Sequence, residues 1–290
     1  LREKIEMKVG IGQIRSGSDP WLNLALVAAF LEEARDQRCE LVCFPENVLY
    51  RGPKVRADGG GREEAYLKLD SEGRIDRSTS FGRSVAEVLE AAPCTVSLGS
   101  VLELAGGTLP YNSHWVVGRD GRVLSYKKIH LFIYESATGG GSYREASEVH
   151  AGSETVVAPV GEFHAGLSIC FDLRFPELFR DLSVKKGADL LLIPAAFTRE
   201  TGEAHWHTLQ RARAVENLSF VVAAGQWGTH VDSKGQELWC YGHSLVVDPW
   251  GRVIAEGPAE GDALVTAELD LAEVKRRRSS LPVFSSVSLL

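Results

Sequence analysis

A single cysteine closes the apolar run in GLSICFDLRFPEL (166 to 178), and an aspartate, an arginine and a proline follow Cys170 within six residues. A thiol attacks carbonyl carbon only as its thiolate, and an ordinary cysteine has a pKa of about 8.5, so a working Cys170 needs a base. Histidine is the usual partner. His164, however, sits six residues upstream on the same strand pattern and points away along it. Carboxylates at strand ends remain, and Glu46 follows LVCFP directly. Each residue has a plain alternative: free cysteine packs in cores as a small hydrophobe, and a glutamate after a strand commonly meets only water.

YKKIHLF (126 to 132) adds two adjacent lysines, Lys127 and Lys128. Successive strand side chains point to opposite faces, so at most one lysine meets a cleft; a solvated sheet edge is the other reading. Arg174 suits a substrate carboxylate, because guanidinium pairs with such groups through two parallel hydrogen bonds. Its alternative is a helix-start arginine paired with Asp172 or Glu177. Phe197 and Thr198, in PAAFTRETG, end a strand and line a pocket for the acyl group, or Phe197 is ordinary core. His205 and His207 are two apart on a helical pattern, which puts them on different faces and argues for structural roles over a shared metal.

These residues need a frame. Short β-rich runs alternate with helical patterns, which makes the chain α/β. Strands are expected at 8–14, 40–46, 94–103 and 114–128, the last folded at Asp120-Gly121, with helices over 22–37 and 81–92. The second half repeats this programme: a strand at HAGLSIC, a helix through FPELFRDLSVKKG, strands at 188–196, 219–227 and 244–257, and a helix over 203–217. ADLLLIPAA echoes ELVCFPE, and SLVVDPWGRVIAEG echoes HWVVGRDGRVLSYK. Self-similarity over half a chain predicts two copies of one unit, packed sheet to sheet with helices outside. Sheets covered on both faces explain the nearly all-apolar strands. The ends of corresponding strands, carrying Glu46 and Cys170, would converge at one edge, where α/β clefts lie. The Gly- and charge-rich stretch 51–74 reads as a mobile surface loop, with a lid over the site as one use for it.

Composition narrows the function classes. The 290 residues carry 44% apolar and 24% charged side chains, an ordinary globular balance. A net charge of −7 speaks against a nucleic-acid surface, and the basic run KRRR at 275–278 reads as a solvated helix face. Five scattered cysteines without CxxC or Cys/His spacing indicate neither a disulfide framework nor a zinc site and suit a reducing cytoplasm. No apolar run nears the roughly 18 residues of a membrane span, and LREKIEMKVG has no signal-peptide core.

Taken together, FPEN around Glu46, YKKIHLF around Lys128 and SICFDLRFPEL around Cys170 resemble the nitrilase superfamily of carbon–nitrogen hydrolases, from KVGIGQI to LPVF. TGEAHWHTLQRARAVEN, YGHSLVVDPWG and LPVF are most similar to its deaminated glutathione amidase and ω-amidase branch. The resemblance implies a four-layer αββα sandwich formed by one domain over 1–290, with halves at 8–150 and 151–281 and a tail at 282–290. It implies Glu46 as general base, Cys170 as nucleophile forming a thioester, Lys128 and the Phe171 N–H as oxyanion donors, and Glu145 in SYREAS as a second, supporting glutamate. Burial should raise the Glu46 pKa toward neutrality while the lysine opposes it.

The implied enzyme cleaves a primary amide of a small carboxylate-bearing molecule, deaminated glutathione first, with an ω-amide such as α-ketoglutaramate or an N-carbamoyl compound as alternatives. It uses no metal or organic cofactor and has no nucleic-acid or membrane partner. A homodimer or higher homo-oligomer is expected. A catalytically silent member that binds a small acid or serves in an assembly is the rival reading. Two departures from the branch pattern stand out: the chain closes in SSVSLL, and Ile133-Tyr134 replaces the aspartate often found after HLF.

Overall fold

A computed structural model describes residues 5–56, 59–107, 109–135, 142–231 and 237–285. The first half contributes β1 (Glu6–Gln13), α1 (Pro20–Asp36), β2 (Leu41–Cys43), β3 (Tyr66–Leu67), α2 (Ser80–Glu90), β4 (Thr95–Glu103), β5 (Tyr111–Val117) and β6 (Val123–Lys127). A small hairpin, β7 (Ile133–Glu135) and β8 (Ser142–Arg144), leads to the second half. There follow β9 (Val157–Val160), β10 (Phe163–Leu167), α3 (Pro176–Arg180), β11 (Leu190–Ala195), α4 (Arg199–Asn217) and β12 (Phe220–Gly225). The chain closes with a hairpin of β13 (Trp227–Val231) and β14 (Glu237–Tyr241), then β15 (Leu245–Val247), β16 (Val253–Glu256), β17 (Ala263–Asp270) and α5 (Leu271–Ser280).

Two sheets result, and their orders match. One runs β17-β1-β2-β4-β5-β6 with β3 beside β4; the other runs β9-β10-β11-β12-β15-β16. In each, three parallel strands are extended by an antiparallel pair, and an antiparallel strand closes the opposite side. This is the α/β, four-layer sandwich expected from the repeated strand and helix patterns. One strand breaks the division into halves: β17, late in the chain, pairs along all eight residues of β1.

The helices form because their ends and faces are specified. Asp19 caps α1 by accepting from the Trp21 and Leu22 N–H groups, with Pro20 in the first turn. Leu24, Val27, Phe30, Leu31 and Ala34 of α1 then join Phe81, Val85 and Leu89 of α2 over the outer face of the first sheet. The larger core lies between the sheets and under α3 and α4, drawing Val9, Ile11 and Leu41 against Leu167, Leu191 and Ile193.

Several boundaries differ from the sequence expectation. The strand expected over 40–46 is only Leu41–Cys43, because Phe44 onward turns to meet β4. The helix expected through FPELFRDLSVKKG is the five-residue α3 followed by a wide helical turn over Asp181–Lys185. The 51–74 stretch, expected to be mobile, is tied down where it is described. Its β3 pairs with β4, Arg56 donates to the Ser18 carbonyl at 3.0 Å, and Arg62 meets Glu148 at 2.5 Å.

KRRR is not simply a solvated face: Arg276 and Arg277 pair with Glu273, but Arg278 turns inward to the Ala188 carbonyl at 2.6 Å and Ser219 Oγ at 2.9 Å. Most of the closing SSVSLL segment lies outside the described residues; just before it, Phe284 lies under the guanidinium groups of Arg180 and Arg278.

Candidate active site

Glu46 leaves β2 on a path that only a glycine in β4 permits. β4 and β5 shift register between Ser97 and Ser100, and Gly99 sits in that irregularity at φ 61°. A side chain there would strike the Pro45 carbonyl at 2.0 Å, so the missing Cβ lets FPE lie against the strand. Phe44 N–H to Ser97 O at 2.9 Å and Val48 N–H to Ser100 O at 3.1 Å hold it there. The Glu46 carboxylate ends up buried, 4% exposed. Its Oε2 accepts from the Ala196 N–H at 3.0 Å, just past β11, the strand that corresponds to β2 in the repeat.

The lysine pair splits as the strand rule requires. Lys127 turns out to Glu103 at 3.9 Å and over the Tyr111 ring. Lys128 turns in and is 1% exposed, its Nζ 2.9 Å from Glu46 Oε1 and 2.9 Å from Glu145 Oε2. Glu145 is fixed twice by Phe132, whose N–H donates to its side chain at 2.7 Å and whose carbonyl accepts its N–H at 2.9 Å. Asn112, on β5, spans the two carboxylates, its Nδ2 donating to Glu46 at 3.0 Å and Glu145 at 2.9 Å. Asn112 was missed in the sequence, where a polar residue in YNSHWVV was the available signal.

Cys170 follows β10 and carries φ 45°, a left-handed conformation that strains any residue with a Cβ. The backbone is held in this bend by Asp172, which is fully buried. Its Oδ2 accepts from the Ile169 N–H and from Tyr126 Oη, both at 2.8 Å; its Oδ1 accepts from the His130 N–H at 3.1 Å and lies 2.7 Å from His130 Nδ1. One carboxylate thus ties the cysteine's turn to the loop that carries Lys128. The Asp172 N–H, bonded to Ile169 O at 3.0 Å, makes the first bond of the short helical turn; the N–H groups of Cys170 and Phe171 therefore precede its ladder. The thiol is buried beside Glu46 and Lys128, and the charges of both act on it.

Glu46 and Cys170 do not stand on corresponding strands. β2 matches β11, whereas β10 matches β1. They meet because β10 is the parallel neighbour of β11, whose end touches Glu46.

Electrostatics separate the three groups. Burial pushes the Glu46 pKa up, but the Lys128 ammonium, its hydrogen bond and the Arg51 charge outweigh burial and hold it below the usual carboxylate range. The rise toward neutrality anticipated for Glu46 is therefore reversed. Burial and the Glu46 charge push the thiol of Cys170 well up. Burial disfavours the charge on Lys128, yet Glu145 and Glu46 prevail and raise it well above its ordinary value. At neutral pH the resting site holds a thiol, an ionised Glu46 and an ammonium, so the group that can take the thiol proton stands ready.

Around this centre, Arg174 pairs with neither Asp172 nor Glu177, since Asp172 is committed inward. Its guanidinium lies 5.1 Å from the Phe197 ring centre and 6.0 Å from that of Phe171, with Nη1 3.3 Å from His205 Nδ1. Phe197 is buried against Trp206, and Thr198 precedes α4, its hydroxyl 2.8 Å from that of Thr201. His205 and His207 do diverge: His207 Nε2 and His243 Nδ1 share Glu256 Oε1 at 2.9 and 2.7 Å, tying α4 to β16. His164 is largely exposed beside Asp189. Ile133 is half exposed.

Comparison with known proteins places the chain. The carbon–nitrogen hydrolase family matches residues 8–279. A deaminated glutathione amidase of Dictyostelium discoideum is 32% identical over 288 residues, covering 97% of this chain and 94% of that protein. The crystal structure of Saccharomyces cerevisiae Nit3, a member of branch 10 of the nitrilase superfamily, superposes with a TM-score of 0.77 at 28% identity, covering 96% of this chain and 94% of the other. The Caenorhabditis elegans NitFhit protein superposes at 0.78 and 33% identity; the match takes in 97% of this chain but 65% of that longer one. Among the described residues no helix is long and apolar enough to cross a membrane. With this fold and these relatives, the chain belongs to the carbon–nitrogen hydrolase family of the nitrilase superfamily and is an amidohydrolase of non-peptide C–N bonds.

Proposed function

We propose that Glu46, Lys128, Cys170 and Glu145 form the catalytic centre, and that the substrate is a small carboxylate-bearing amide. One observation carries the reading: a buried thiol beside a carboxylate that a buried ammonium 2.9 Å away keeps ionised. Glu46 takes the thiol proton as sulfur attacks the carbonyl carbon. The Lys128 ammonium and the Phe171 N–H face the developing oxyanion, and each such preorganised donor typically contributes about 3 to 4 kcal/mol. Glu46 returns the proton to the departing nitrogen, leaving a thioester on Cys170. It then removes a proton from water, which attacks the thioester, and the thiolate is reprotonated as it leaves. Glu145 holds Lys128 in line throughout.

Arg174 takes the substrate carboxylate, with Phe171, Phe197 and Thr198 lining the acyl side. Deaminated glutathione is the first candidate, supported by the amidases of that name among the relatives. Its amide joins an acid-bearing acyl group to cysteinylglycine, so the leaving group is then an amine and not the ammonia of a primary amide. An ω-amide such as α-ketoglutaramate stands second. A cytoplasmic, homo-oligomeric enzyme completes this reading, and five buried thiols, none of them in a disulfide, suit such a compartment.

Intact-mass spectrometry after brief exposure to a panel of amides tests the chemistry. A transient acyl adduct is expected on the native protein and not on Cys170→Ala. A panel that yields neither adduct nor released amine refutes it.

A further inference from the structure

Arg51 sits five residues beyond Glu46 on a segment with little freedom. The Glu46 carbonyl accepts from Gln226 Nε2 at 3.0 Å, the Val48 carbonyl from Ser16 Oγ at 2.8 Å, the Leu49 carbonyl from Asn23 Nδ2 at 2.9 Å, and the Arg51 N–H donates to Gly17 O at 2.9 Å. The backbone is fixed, but the guanidinium has little to hold. Its Nη2 lies 3.7 Å from Cys240 Sγ, a weak acceptor, and its buried Nε has no hydrogen-bond partner. Among the described residues it forms no ion pair with a carboxylate. A buried guanidinium N–H left without an acceptor is costly enough to call for an occupant.

Its surroundings belong to the cleft. Cys240 bridges to Thr198, and the Tyr241 N–H donates to the Phe197 carbonyl at 3.0 Å. Through Cys240, Arg51 is one residue removed from the Phe197–Thr198 stretch that Arg174 touches at the Phe197 ring. The two cations approach this stretch with different companions among the catalytic groups: Arg174 belongs to the turn of the nucleophile, whereas Arg51 extends from the segment of Glu46.

We propose that Arg51 forms a second anion subsite of this cleft and binds a carboxylate on the leaving-group half of the amide. The inference rests on the role given above to Glu46: the group that hands a proton to the departing nitrogen lies beside it, so a cation on the Glu46 segment faces what departs. The Arg51 charge also acts on Glu46 and helps keep it ionised. A planar guanidinium offers a carboxylate two parallel N–H donors, whereas the cysteine sulfur takes a single, long contact.

Two amides with the same acid-bearing acyl half test the subsite, one with a neutral alkylamine as leaving group and one with glycine. Arg51→Leu should lower kcat/KM on the glycine amide by about 10- to 100-fold more than on the neutral amide, the range for a lost hydrogen bond to a charged group; the loss on the neutral amide reports the effect of the Arg51 charge on Glu46 alone. Arg51→Lys, which keeps the charge and removes the fork, should fall between and guards against a misfolded leucine variant. Equal loss on both amides, or no loss on either, overturns the subsite.

Calorimetric titration of N-acetylglycine and N-acetylglycinamide separates this failure from a failure of the amidase reading. Native protein should bind the acid more tightly than its amide, and Arg51→Leu should not discriminate, whether or not either substrate turns over. A native protein indifferent to the carboxylate refutes the subsite even if hydrolysis is robust.

Discussion

His114, on the first sheet, meets the carbonyl of Ser168 at 3.0 Å through Nδ1, across the seam between the sheets and two residues before the nucleophile. A carbonyl only accepts, so Nδ1 carries the proton, and Nε2 accepts from Ser97 Oγ at 2.7 Å. The ring is neutral, and burial pushes its pKa down from 6.5 to about 4. Below pH 6.5 the unfolded chain takes up a proton that the fold refuses, so stability falls as pH drops from 6.5 to about 4. By linkage this amounts to about 3 kcal/mol. Thermal melts from pH 7 to 4 should show a decline, and His114→Gln should flatten it. A slope unchanged in the variant would remove His114 as its source.

Asn112 should tolerate no added charge. Asn112→Asp puts a third carboxylate against Lys128, in place of the amide that donates to Glu46 and Glu145. Like charges at this range disfavour ionisation, so Glu46 should bind a proton more readily. The acid limb of the pH–rate profile should move to higher pH, with kcat at pH 7 down at least tenfold. An unmoved limb would mean that Asn112 does not act on the base.

Lys128→Met leaves two buried carboxylates without their cation, a loss in the class of about 3 to 5 kcal/mol. Turnover should vanish. Protonation of Glu46, no longer opposed by the ammonium, should restore some stability, so the variant's melting temperature should gain on the native one as pH falls from 7 to 5. Near-normal turnover would exclude Lys128 from the mechanism. Lys128→Arg should not rescue, because a planar fork does not fit a site built around a point charge.

Asp172→Asn tests the strained turn. The variant keeps the shape but weakens acceptance from Ile169, Tyr126 and His130. Cys170 should then relax from its left-handed backbone, with kcat reduced about 100-fold and the rate of thiol alkylation altered. A normal kcat would show that the turn holds without the carboxylate.

Arg174→Ala should lower kcat/KM about 10- to 100-fold on amides with an acyl-side carboxylate and leave neutral amides nearly untouched. Equal loss on both would mean that the guanidinium, stacked beside Phe171 and Phe197, supports the wall only.

The strands and their repetition could be read from the sequence because buried parallel strands advertise themselves as apolar runs, and ELVCFPE with ADLLLIPAA marked β2 and β11. Glu46, Lys128 and Cys170 could be proposed because a carboxylate, an ammonium and a thiol at strand ends have few other uses together. Asn112 and Arg51, and the part Asp172 plays in the turn of Cys170, escaped notice for a common reason. Each acts through partners far along the chain: Asn112 through Glu46, Asp172 through His130, Arg51 through Cys240. No local period records such a partner. The turn of Glu46's pKa was misjudged because its sign depends on whether desolvation or a 2.9 Å ammonium dominates, and only distance decides that.

The late return of β17 to β1 has a consequence for biosynthesis. As the chain leaves the ribosome, every residue of the proposed catalytic set emerges before the strand that seals the margin of the sheet holding Glu46. Until then β1 presents an open edge along its whole length, an invitation to pair with another nascent chain. Premature termination anywhere before residue 263 should therefore yield aggregates and not a smaller working enzyme.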